Sequence, residues 1–420
     1  MSERILLCLA HMSGKEMDFI KEAFDQNWVV PLGPNVNGFE KDLEEFVNGR
    51  EGAAPLDKKV VALSAGTAAV HLALIACGVK AGDEVIVQSF TFCASSHPVT
   101  YLGATPVFVD SEKDTWNMDP ELLEEAIKDR IAKTGRKPKA IVPVALYGMP
   151  YNITKIMEIA NRYEIPVVED AAEGFGSRFN GQVLGTFGKY GVLSFNGNKM
   201  ITTSGGGALI CADDEAKKQI MWYATQARES YPYYQHEAIG YNYRMSNICA
   251  GIGRGQMTVV DEHIAHHRHV QALYKELLKD VKGITLHEAP SPEYDSNYWL
   301  CTATLDSDLK IKGQDKAYAE VITGAVGGAA GVTHATKSAH TALEPNANVE
   351  AMRMFLDAAG IESRPLWKPM HCQPVYKDAP AYTNGVSESL FRVGICLPAG
   401  PWVTDDHVRY IVDKIKAAIE

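Results

Sequence analysis

One lysine stands between a predicted strand and a run of glycines. Lys199 closes the segment LSFNGNK (residues 193–199), and ITTSGGG (residues 201–207) follows almost at once. Burial lowers the pKa of an amine and makes it nucleophilic toward a carbonyl. Three glycines in a row favour close approach of the backbone to another group. From these residues alone, Lys199 is either a catalytic amine or a surface lysine in a loop.

Two carboxylates follow a predicted buried strand at residues 166–169. Asp170 and Glu173 lie directly after it, in the segment VVEDAAE. Ligands of α/β proteins bind outside the carboxyl ends of the strands, so Asp170 is either a functional acid or a solvated loop residue. A carboxylate beside a pyridine nitrogen keeps that nitrogen protonated, which pyridoxal phosphate (PLP) requires to withdraw electrons.

A third pattern is the turn SAGTAA (residues 64–69) between a predicted strand and a helix. Gly66 allows a sharp turn, and the N–H groups at the start of the helix bind anions, phosphate especially. The alternative is a Ser/Thr cap on an ordinary strand-to-helix turn. The glycine patterns of P-loops and dinucleotide-binding turns are absent here, which disfavours nucleoside triphosphates and dinucleotides.

These three segments together supply an amine, an acid for a ring nitrogen and an anion-binding turn. Each lies at the end of a predicted strand, and their joint occurrence is more specific than any one of them. The sequence therefore predicts PLP held as a Schiff base on Lys199.

Two weaker patterns favour structural roles. The segment GIGRG (residues 251–255) lies in a predicted helical stretch without a preceding strand, which favours close helix packing over dinucleotide binding. His263, His266, His267 and His269 lack the spacing of a zinc protease. We interpret them as a solvated helix face and expect no metal.

Short apolar runs alternate with amphipathic ones from about residue 60 to residue 211. This alternation predicts an α/β domain on a mostly parallel sheet, and continuous apolar runs are typical of strands covered on both faces. The last two strands have no long helix between them, which indicates one antiparallel member. The predicted strands are 60–63, 84–88, 106–109, 140–144, 166–169, 191–195 and 208–211. The predicted helices are 68–77, 120–128 and 153–163.

The pattern changes after about residue 240. A long connecting helix is predicted over residues 257–278. A strand over 298–304 and helices over 349–359 and 405–419 then indicate a smaller α+β domain.

The chain length also suggests two domains. We predict a large PLP-binding domain over residues 1–255, whose N-terminal segment can pack on the small domain. The small C-terminal domain is predicted over residues 256–420, with a partly irregular insertion at 312–346.

The composition is that of an ordinary globular protein and excludes several classes. The 420 residues carry a formal net charge of −11, which gives no basic field for nucleic acid. No apolar run approaches the roughly 20 residues of a membrane span. The apolar stretch at residues 5–10 is too short for a secretion signal, so we expect a cytoplasmic protein. The eight scattered cysteines are expected to be mostly buried, reduced thiols.

Six ordered segments extend these patterns over nearly the whole chain. They are SAGTAAVHLAL, GDEVIVQSFTFCASSHPV, GATPVFVD, VVEDAAEGFGSRFNG, GVLSFNGNKMITTSGGGALI and GYNYRMSN. In this order they resemble the DegT/DnrJ/EryC1/StrS family of sugar aminotransferases. The resemblance implies PLP fold type I, similar to aspartate aminotransferase, with a large domain around a seven-stranded, mostly parallel sheet. It also implies a homodimer.

The resemblance assigns roles around the cofactor ring. Lys199 looks like the Schiff-base lysine, which also moves the proton between the cofactor and the substrate carbon. Asp170 looks like the partner of the pyridinium nitrogen, and Glu173 matches a position near the ring hydroxyl. Phe92 matches the aromatic residue that stacks on the ring.

The resemblance also assigns contacts to the phosphate. Gly66, Thr67 and Ser194 look like phosphate-binding residues of the same subunit. Asn242, in GYNYR, resembles the residue that reaches the phosphate from the neighbouring subunit. A site shared in this way makes dimerisation a condition of activity.

The segments PLGPNVNGFE, GYNYRMSNICAGIGRGQ and ESRPLWKPMH resemble the branch that acts on nucleotide-linked 4-keto-6-deoxy sugars. The nearest resemblance is to enzymes that aminate UDP-2-acetamido-4-keto-2,6-dideoxyhexose on the way to bacillosamine, with GDP-perosamine synthases as neighbours. Lys368 and His371 are candidates for substrate contact. Ala145 departs from the family pattern, which commonly has histidine at this strand end.

The function implied is transfer of the amino group of L-glutamate to C4 of such a keto sugar, for cell-surface glycans. One alternative is a PLP-dependent sugar dehydratase, although relatives of that kind typically replace the lysine by histidine. Another is a noncatalytic sensor of a sugar nucleotide, against which the complete set of cofactor residues argues.

Overall fold

The computed structural model describes residues 4–49, 54–318 and 343–420. Most of the predicted insertion at 312–346 lies outside these residues. The helices are α1 Glu16–Asp25, α2 Pro34–Asn48, α3 Gly66–Ala76, α4 His97–Tyr101, α5 Pro120–Thr134, α6 Ile153–Tyr163, α7 Asp214–Ala224, α8 Asn247–Met257, α9 Val260–Leu278, α10 Ala347–Ala358, α11 Val386–Val393 and α12 Asp405–Ala418. The strands are β1 Lys59–Leu63, β2 Glu84–Gln88, β3 Thr105–Val109, β4 Ala140–Val142, β5 Val168–Asp170, β6 Arg178–Phe179, β7 Gln182–Val183, β8 Tyr190–Ser194, β9 Gly207–Cys211, β10 Ile284–Leu286, β11 Tyr294–Asp295, β12 Cys301–Leu305, β13 Arg364–Pro365, β14 Ala381–Tyr382 and β15 Gly394–Leu397.

The central sheet has the strand order β14–β3–β2–β4–β5–β8–β9–β1. It consists of two four-stranded ladders that meet between β4 and β5, through the parallel bridges Ile141–Val167 and Val144–Asp170. Strand β9 runs antiparallel to both β1 and β8, whereas the pairs on the other side of β8 are parallel. The mostly parallel sheet with one antiparallel strand is confirmed. The two-residue strand β14 adds an edge member to the predicted seven.

The strands of this sheet are buried on both faces, which explains their continuous apolar sequences. In β2, Ile86 belongs to one hydrophobic cluster, whereas Val85 and Val87 belong to another on the opposite face. Residues of α2, α5 and α6 complete the first cluster, and residues of α3 and α7 complete the second. With both faces covered, the sheet presents only its strand ends to ligands.

The C-terminal part builds a second, antiparallel sheet in the order β10–β12–β15–β13. Helices α9, α10 and α12 pack on it around a third cluster that includes Val270, Met352 and Ile411. The N-terminal residues join this part of the molecule, because Ile5 pairs with Ile361 and belongs to the same cluster. The domain division after residue 255 stays a prediction.

The single long helix predicted over residues 257–278 is wrong at its start. The chain forms two helices instead, because α8 ends at Met257 and α9 begins at Val260. Between them, the N–H groups of Thr258 and Val259 donate to carbonyls only three residues back. The Thr258 hydroxyl also donates to the Gly255 carbonyl at 2.7 Å. Hydrogen bonds that reach three residues back, in place of four, are typical of the end of a helix.

The glycine-rich helix α8 confirms close packing as the role of the GIGRG segment. A Cβ added at Gly253 would lie 2.6 Å from the ring of Phe39 in α2. A Cβ at Gly255 would lie 2.8 Å from the side chain of Glu16 in α1. The glycines therefore let the first two helices approach the backbone of α8.

The interpretation of the α9 histidines as a solvated face is wrong for two of them. His263 and His267 are buried, whereas His269 is exposed and its Nε2 lies 2.7 Å from Asp405. The reason is that α9 buries more than one face. Val270 and Tyr274 pack into the third cluster, while His263 contacts the Met200 carbonyl and His267 the Tyr298 carbonyl.

The expectation of mostly buried cysteines is also wrong. All eight are free thiols, but only Cys211, Cys301 and Cys396 are buried. The half-buried ones lie mostly outside the strands, as Cys77 does at the end of α3. In the part of the chain that the structure describes, no helix combines the length and apolar character needed to cross a membrane.

Candidate active site

Three strand ends meet around one cavity of about 290 Å³. Strand β1 leads into residues 64–67, β5 into residues 171–173 and β8 into residues 195–199. These strands point the same way, so their carboxyl ends lie at one edge of the sheet. The predicted residues in the cavity wall are Gly66, Thr67, Phe92, Asp170, Glu173, Ser194 and Lys199.

Lys199 lies between an acid and an indole ring. Its Nζ is 3.3 Å from Glu173 Oε1 and 4.1 Å from the centre of the Trp299 ring. The Trp299 ring is held in turn, because its Nε1 donates to the Asn198 carbonyl at 2.7 Å. The lysine side chain is only 13% exposed. The amine is therefore screened from bulk water and open to a ligand in the cavity.

Asp170 is buried in the same wall and its carboxylate is held by two donors. The Ser95 hydroxyl donates to Oδ2 at 2.6 Å, and the Ala172 N–H donates to Oδ1 at 3.1 Å. Burial raises the pKa of this carboxyl, while Ser95, Ala172 and the charge of Lys199 act in the opposite direction. The arrangement offers a fixed acceptor to a ring N–H.

Glu173 connects the lysine to a strained residue. Its Oε2 accepts a hydrogen bond from the Tyr147 N–H at 2.7 Å. Burial raises the pKa of the Glu173 carboxyl, and the charge of Lys199 opposes that shift. Tyr147 adopts a left-handed conformation with φ 53°, and its hydroxyl accepts a hydrogen bond from the backbone N–H of Trp367 at 2.8 Å. One residue thus links the acid beside Lys199 to the segment containing Trp367.

The start of α3 has the properties of an anion site. The helix begins at Gly66, and no side chain hydrogen-bonds to its N-terminus among the described residues. A Cβ added at Gly66 would lie 3.1 Å from Ser194 Cβ, and one at Gly207 would lie 2.4 Å from the Gly66 nitrogen. Glycine at both positions lets β8, β9 and α3 converge. The N–H groups of the first turn have no partner within the helix and suit a phosphate.

Phe92 stands where the cavity meets a second cleft. The residue is 49% exposed, and its ring lies 5.5 Å from the ring of Trp367, centre to centre. The cleft also contains Lys368, whose Nζ donates to the Leu343 carbonyl at 3.1 Å. The structure therefore brings Lys368 close to the predicted cofactor residues.

Asn242 and His371 lie outside the walls of the cavity and the cleft. Asn242 forms a bridge with Thr225. His371 Nδ1 lies 2.6 Å from the Ser89 hydroxyl, and its Nε2 lies 3.2 Å from Glu388. The roles that the sequence suggested for these two residues stay predictions.

The comparison with known families agrees with this geometry. A model of the DegT/DnrJ/EryC1/StrS aminotransferase family matches residues 11–320 and 328–416. The chain belongs to this family. The interruption between the two matched ranges falls inside the predicted insertion at 312–346.

Two relatives of this DegT-family chain align over nearly its whole length. It is 41% identical to EpsN of Bacillus subtilis, which is described provisionally as a pyridoxal phosphate-dependent aminotransferase. That alignment covers 99% of this chain and 96% of the relative. It is 32% identical to the GDP-perosamine synthase of Escherichia coli O157:H7, over 96% and 95% of the two chains.

The fold comparison supports the same assignment. The crystal structure of a DegT DnrJ EryC1 StrS aminotransferase from Brucella abortus superposes with a TM-score of 0.79 at 27% identity. The match covers 96% of this chain and 95% of that one. The predicted fold type I is confirmed.

Several residues of the DegT-family site were missed by sequence reasoning. Trp299 and Trp367 line the cavity, and Ser95 holds Asp170. Both tryptophans come from the C-terminal part, far from Lys199 in sequence, and no motif marks their contact with the lysine or Phe92. The only signal was their type, because a tryptophan outside a periodic apolar run often has a specific partner.

Ala145, the departure from the family pattern, lies in the interior. It is buried, and its N–H donates to the Asp170 carbonyl at 3.0 Å. A Cβ added at Gly174 would lie 2.7 Å from the Ala145 Cβ. The small side chain therefore meets a glycine behind the site and does not line the cavity.

Proposed function

We propose that this aminotransferase transfers the amino group of L-glutamate to C4 of a nucleotide-linked 4-keto-6-deoxy sugar. The observation that carries the proposal is the Lys199 amine, held 3.3 Å from Glu173 in a cavity that Asp170 and the start of α3 also line. An amine, a buried acid and an anion site around one cavity suit a cofactor that combines an aldehyde, a pyridine and a phosphate.

Pyridoxal phosphate is the cofactor of this aminotransferase, and when bound it supplies the electron sink that transamination requires. Lys199 would bind its aldehyde carbon covalently, and Asp170 would face its ring nitrogen. Gly66, Thr67 and Ser194 would hold its phosphate. The free N-terminus of α3 and the buried Asp170 carboxylate support this fit.

The remaining residues of the cavity would fix the ring and the amine. Phe92 has an exposed aromatic face for stacking. Glu173 and Trp299 hold Lys199 Nζ from two sides. When it is not bound to the cofactor, that Nζ would be the base placed to carry a proton between substrate and cofactor.

The sugar nucleotide is proposed to enter through the cleft beside Phe92. Trp367 gives this cleft an aromatic wall, and Lys368 gives it a cation. On the resemblance of the ESRPLWKPMH segment, we propose UDP-2-acetamido-2,6-dideoxy-4-keto-hexose as the acceptor, in the synthesis of a cell-surface glycan. A GDP-linked 4-keto-6-deoxy sugar is the second candidate. The relative named GDP-perosamine synthase, 32% identical over 96% of this chain, favours it.

We also propose a homodimer with shared sites. Asn242 lies outside the cavity of its own chain, as a residue that serves a neighbouring subunit would. The preceding segment exposes Tyr233, Tyr234 and Ile239, with 61%, 79% and 80% of their surfaces accessible. Large apolar side chains exposed together are typical of a surface that another protein covers.

A direct assay tests the proposed reaction. The purified protein with PLP and L-glutamate is offered UDP-, GDP- and dTDP-linked 4-keto-6-deoxy sugars, and the products are analysed by NMR. We expect an amine at C4 of the UDP-linked sugar, with the GDP-linked sugar as a poorer acceptor. A GDP preference would move the assignment to the second candidate. No amination of any 4-keto sugar would refute the proposed function.

A further inference from the structure

The buried histidines of α9 have no part in the proposed transfer, yet they contact the segments that hold the lysine. His263 Nδ1 lies 3.2 Å from the carbonyl oxygen of Met200. His267 Nδ1 lies 3.2 Å from the carbonyl oxygen of Tyr298. Met200 follows Lys199, and Tyr298 precedes Trp299. Helix α9 thus contacts the backbone next to Lys199 and also the backbone next to Trp299, the two residues whose amine and indole ring meet.

The direction of these hydrogen bonds follows from the acceptors. A carbonyl oxygen can only accept, so each Nδ1 carries the proton and donates it. Neither Nε2 atom has a hydrogen-bond partner among the described residues, and both rings are buried. A second ring proton would leave a buried donor unpaired and a charge unsolvated. His263 and His267 are therefore neutral donors of fixed orientation.

The carbonyl that His267 holds belongs to a strained residue. Tyr298 has φ 48°, a left-handed conformation that is unfavourable for a tyrosine and persists only where its surroundings impose it. The side chain of Asn297 supplies one restraint, because its Oδ1 accepts a hydrogen bond from the backbone N–H of Trp299 at 2.8 Å and its Nδ2 donates to the Glu173 carbonyl at 2.9 Å. His267 supplies another through its contact with the Tyr298 carbonyl.

We propose that His263 and His267 are positioning residues that set the Lys199 amine against the Trp299 ring. They act through the carbonyls of Met200 and Tyr298 and do not line the cavity. Their spacing of four residues puts both rings on one face of α9, next to each other. The inference rests on the proposed role of Lys199 as the amine that binds PLP.

Asparagine and glutamine variants separate this role from simple packing. In His267→Asn the amide Nδ2 takes the place of the ring Nδ1 and can still donate, whereas in His267→Gln the donor moves one atom further out. The variants His263→Asn and His263→Gln are made in the same way. The exposed His269, on the same helix, gives matched controls as His269→Asn and His269→Gln.

Two properties are measured. The first is the affinity of the apo chain for PLP. The second is the absorbance band of the lysine-linked cofactor and the pH at which half of that band has changed. Circular dichroism confirms that each variant folds. We expect the glutamine variants at 263 and 267 to weaken PLP binding about threefold to tenfold, the effect of one lost hydrogen bond, and to shift the midpoint. The asparagine variants at 263 and 267, and both His269 variants, should have a PLP affinity and a pH midpoint close to those of the wild type.

Two results would overturn the inference. One is wild-type binding and an unshifted band in the glutamine variants. The other is equal weakening by asparagine and glutamine, because packing alone would then explain the loss. A wild-type chain that forms no lysine-linked cofactor would instead refute the proposed function, and this inference with it.

Discussion

Asp170 and Lys199 depend on neighbours that hold their reactive atoms in place. The Asp170 carboxylate accepts hydrogen bonds from the Ser95 hydroxyl and the Ala172 N–H, and the residue lines the cavity. Lys199 Nζ is confined by Glu173 and Trp299. Pre-positioned groups of this kind act where charge develops during a reaction.

The first prediction concerns the charge of Asp170. Asp170→Asn keeps the size of the side chain and removes the negative charge that would keep the cofactor ring nitrogen protonated. We expect turnover to fall by about a hundredfold or more, the usual effect of losing one such electrostatic group. The measurement is kcat with glutamate and the keto sugar.

Ser95→Ala is the matched control for that experiment. It removes one donor to the carboxylate but leaves the charge, so its effect on kcat should be much smaller. If Asp170→Asn turned over at the wild-type rate, the assignment of Asp170 to the ring nitrogen would be wrong.

Helix α8 packs closely against α1 and α2. Its glycines face Phe39 and Glu16 at distances that leave no room for a Cβ. Gly253→Ala should therefore lower the free energy of unfolding by about 1–3 kcal/mol, the usual cost of overpacking. Denaturant unfolding measures the loss. Gly49→Ala is the control, since its nearest neighbour would lie at 3.4 Å. Equal stability of the two variants would contradict the packing seen at α8.

Helix α9 gives a prediction about pH. Burial lowers the pKa of His267 to about 3 in the folded chain, whereas an unfolded histidine titrates near pH 6.5. As the pH falls below about 6.5, the unfolded chain takes up this proton first, so stability is lost toward acid. The loss from this residue should reach about 2 kcal/mol between pH 7 and pH 5.

His267→Asn removes that titration and should flatten the acid side of the stability profile relative to the wild type. The profile is measured by denaturant unfolding at several pH values. An unchanged slope in His267→Asn would mean that the folded histidine is not held neutral.

The elements that carry the site were predictable because strands covered on both faces have continuous apolar sequences. Strand β2 and helix α6 were predicted with the bounds that the structure has. Strands of two residues, such as β13 and β14, carry no periodic signal and were missed. The burial of His263 and His267 was also missed, because it depends on where α9 packs. The contact of Trp299 with Lys199 was missed as well, because it depends on how the C-terminal part packs against the sheet.

The proposed homodimer with shared sites predicts that two inactive variants regain activity when their subunits are mixed. Lys199→Ala and Asn242→Ala should each be nearly inactive alone, because each spoils both sites of its own dimer. Mixed subunits would form dimers with one doubly altered site and one intact site. Random exchange should therefore restore about a quarter of the wild-type activity. An assay before and after subunit exchange measures this, and no recovery would contradict shared sites.

Borohydride trapping tests directly whether Lys199 is the amine that binds the cofactor. The protein with PLP is reduced with borohydride and digested, and its peptides are mapped by mass spectrometry. We expect one pyridoxyl-phosphate group, attached to Lys199 in the LSFNGNK segment. A label on another lysine, or a fully reduced protein with no label at Lys199, would contradict it.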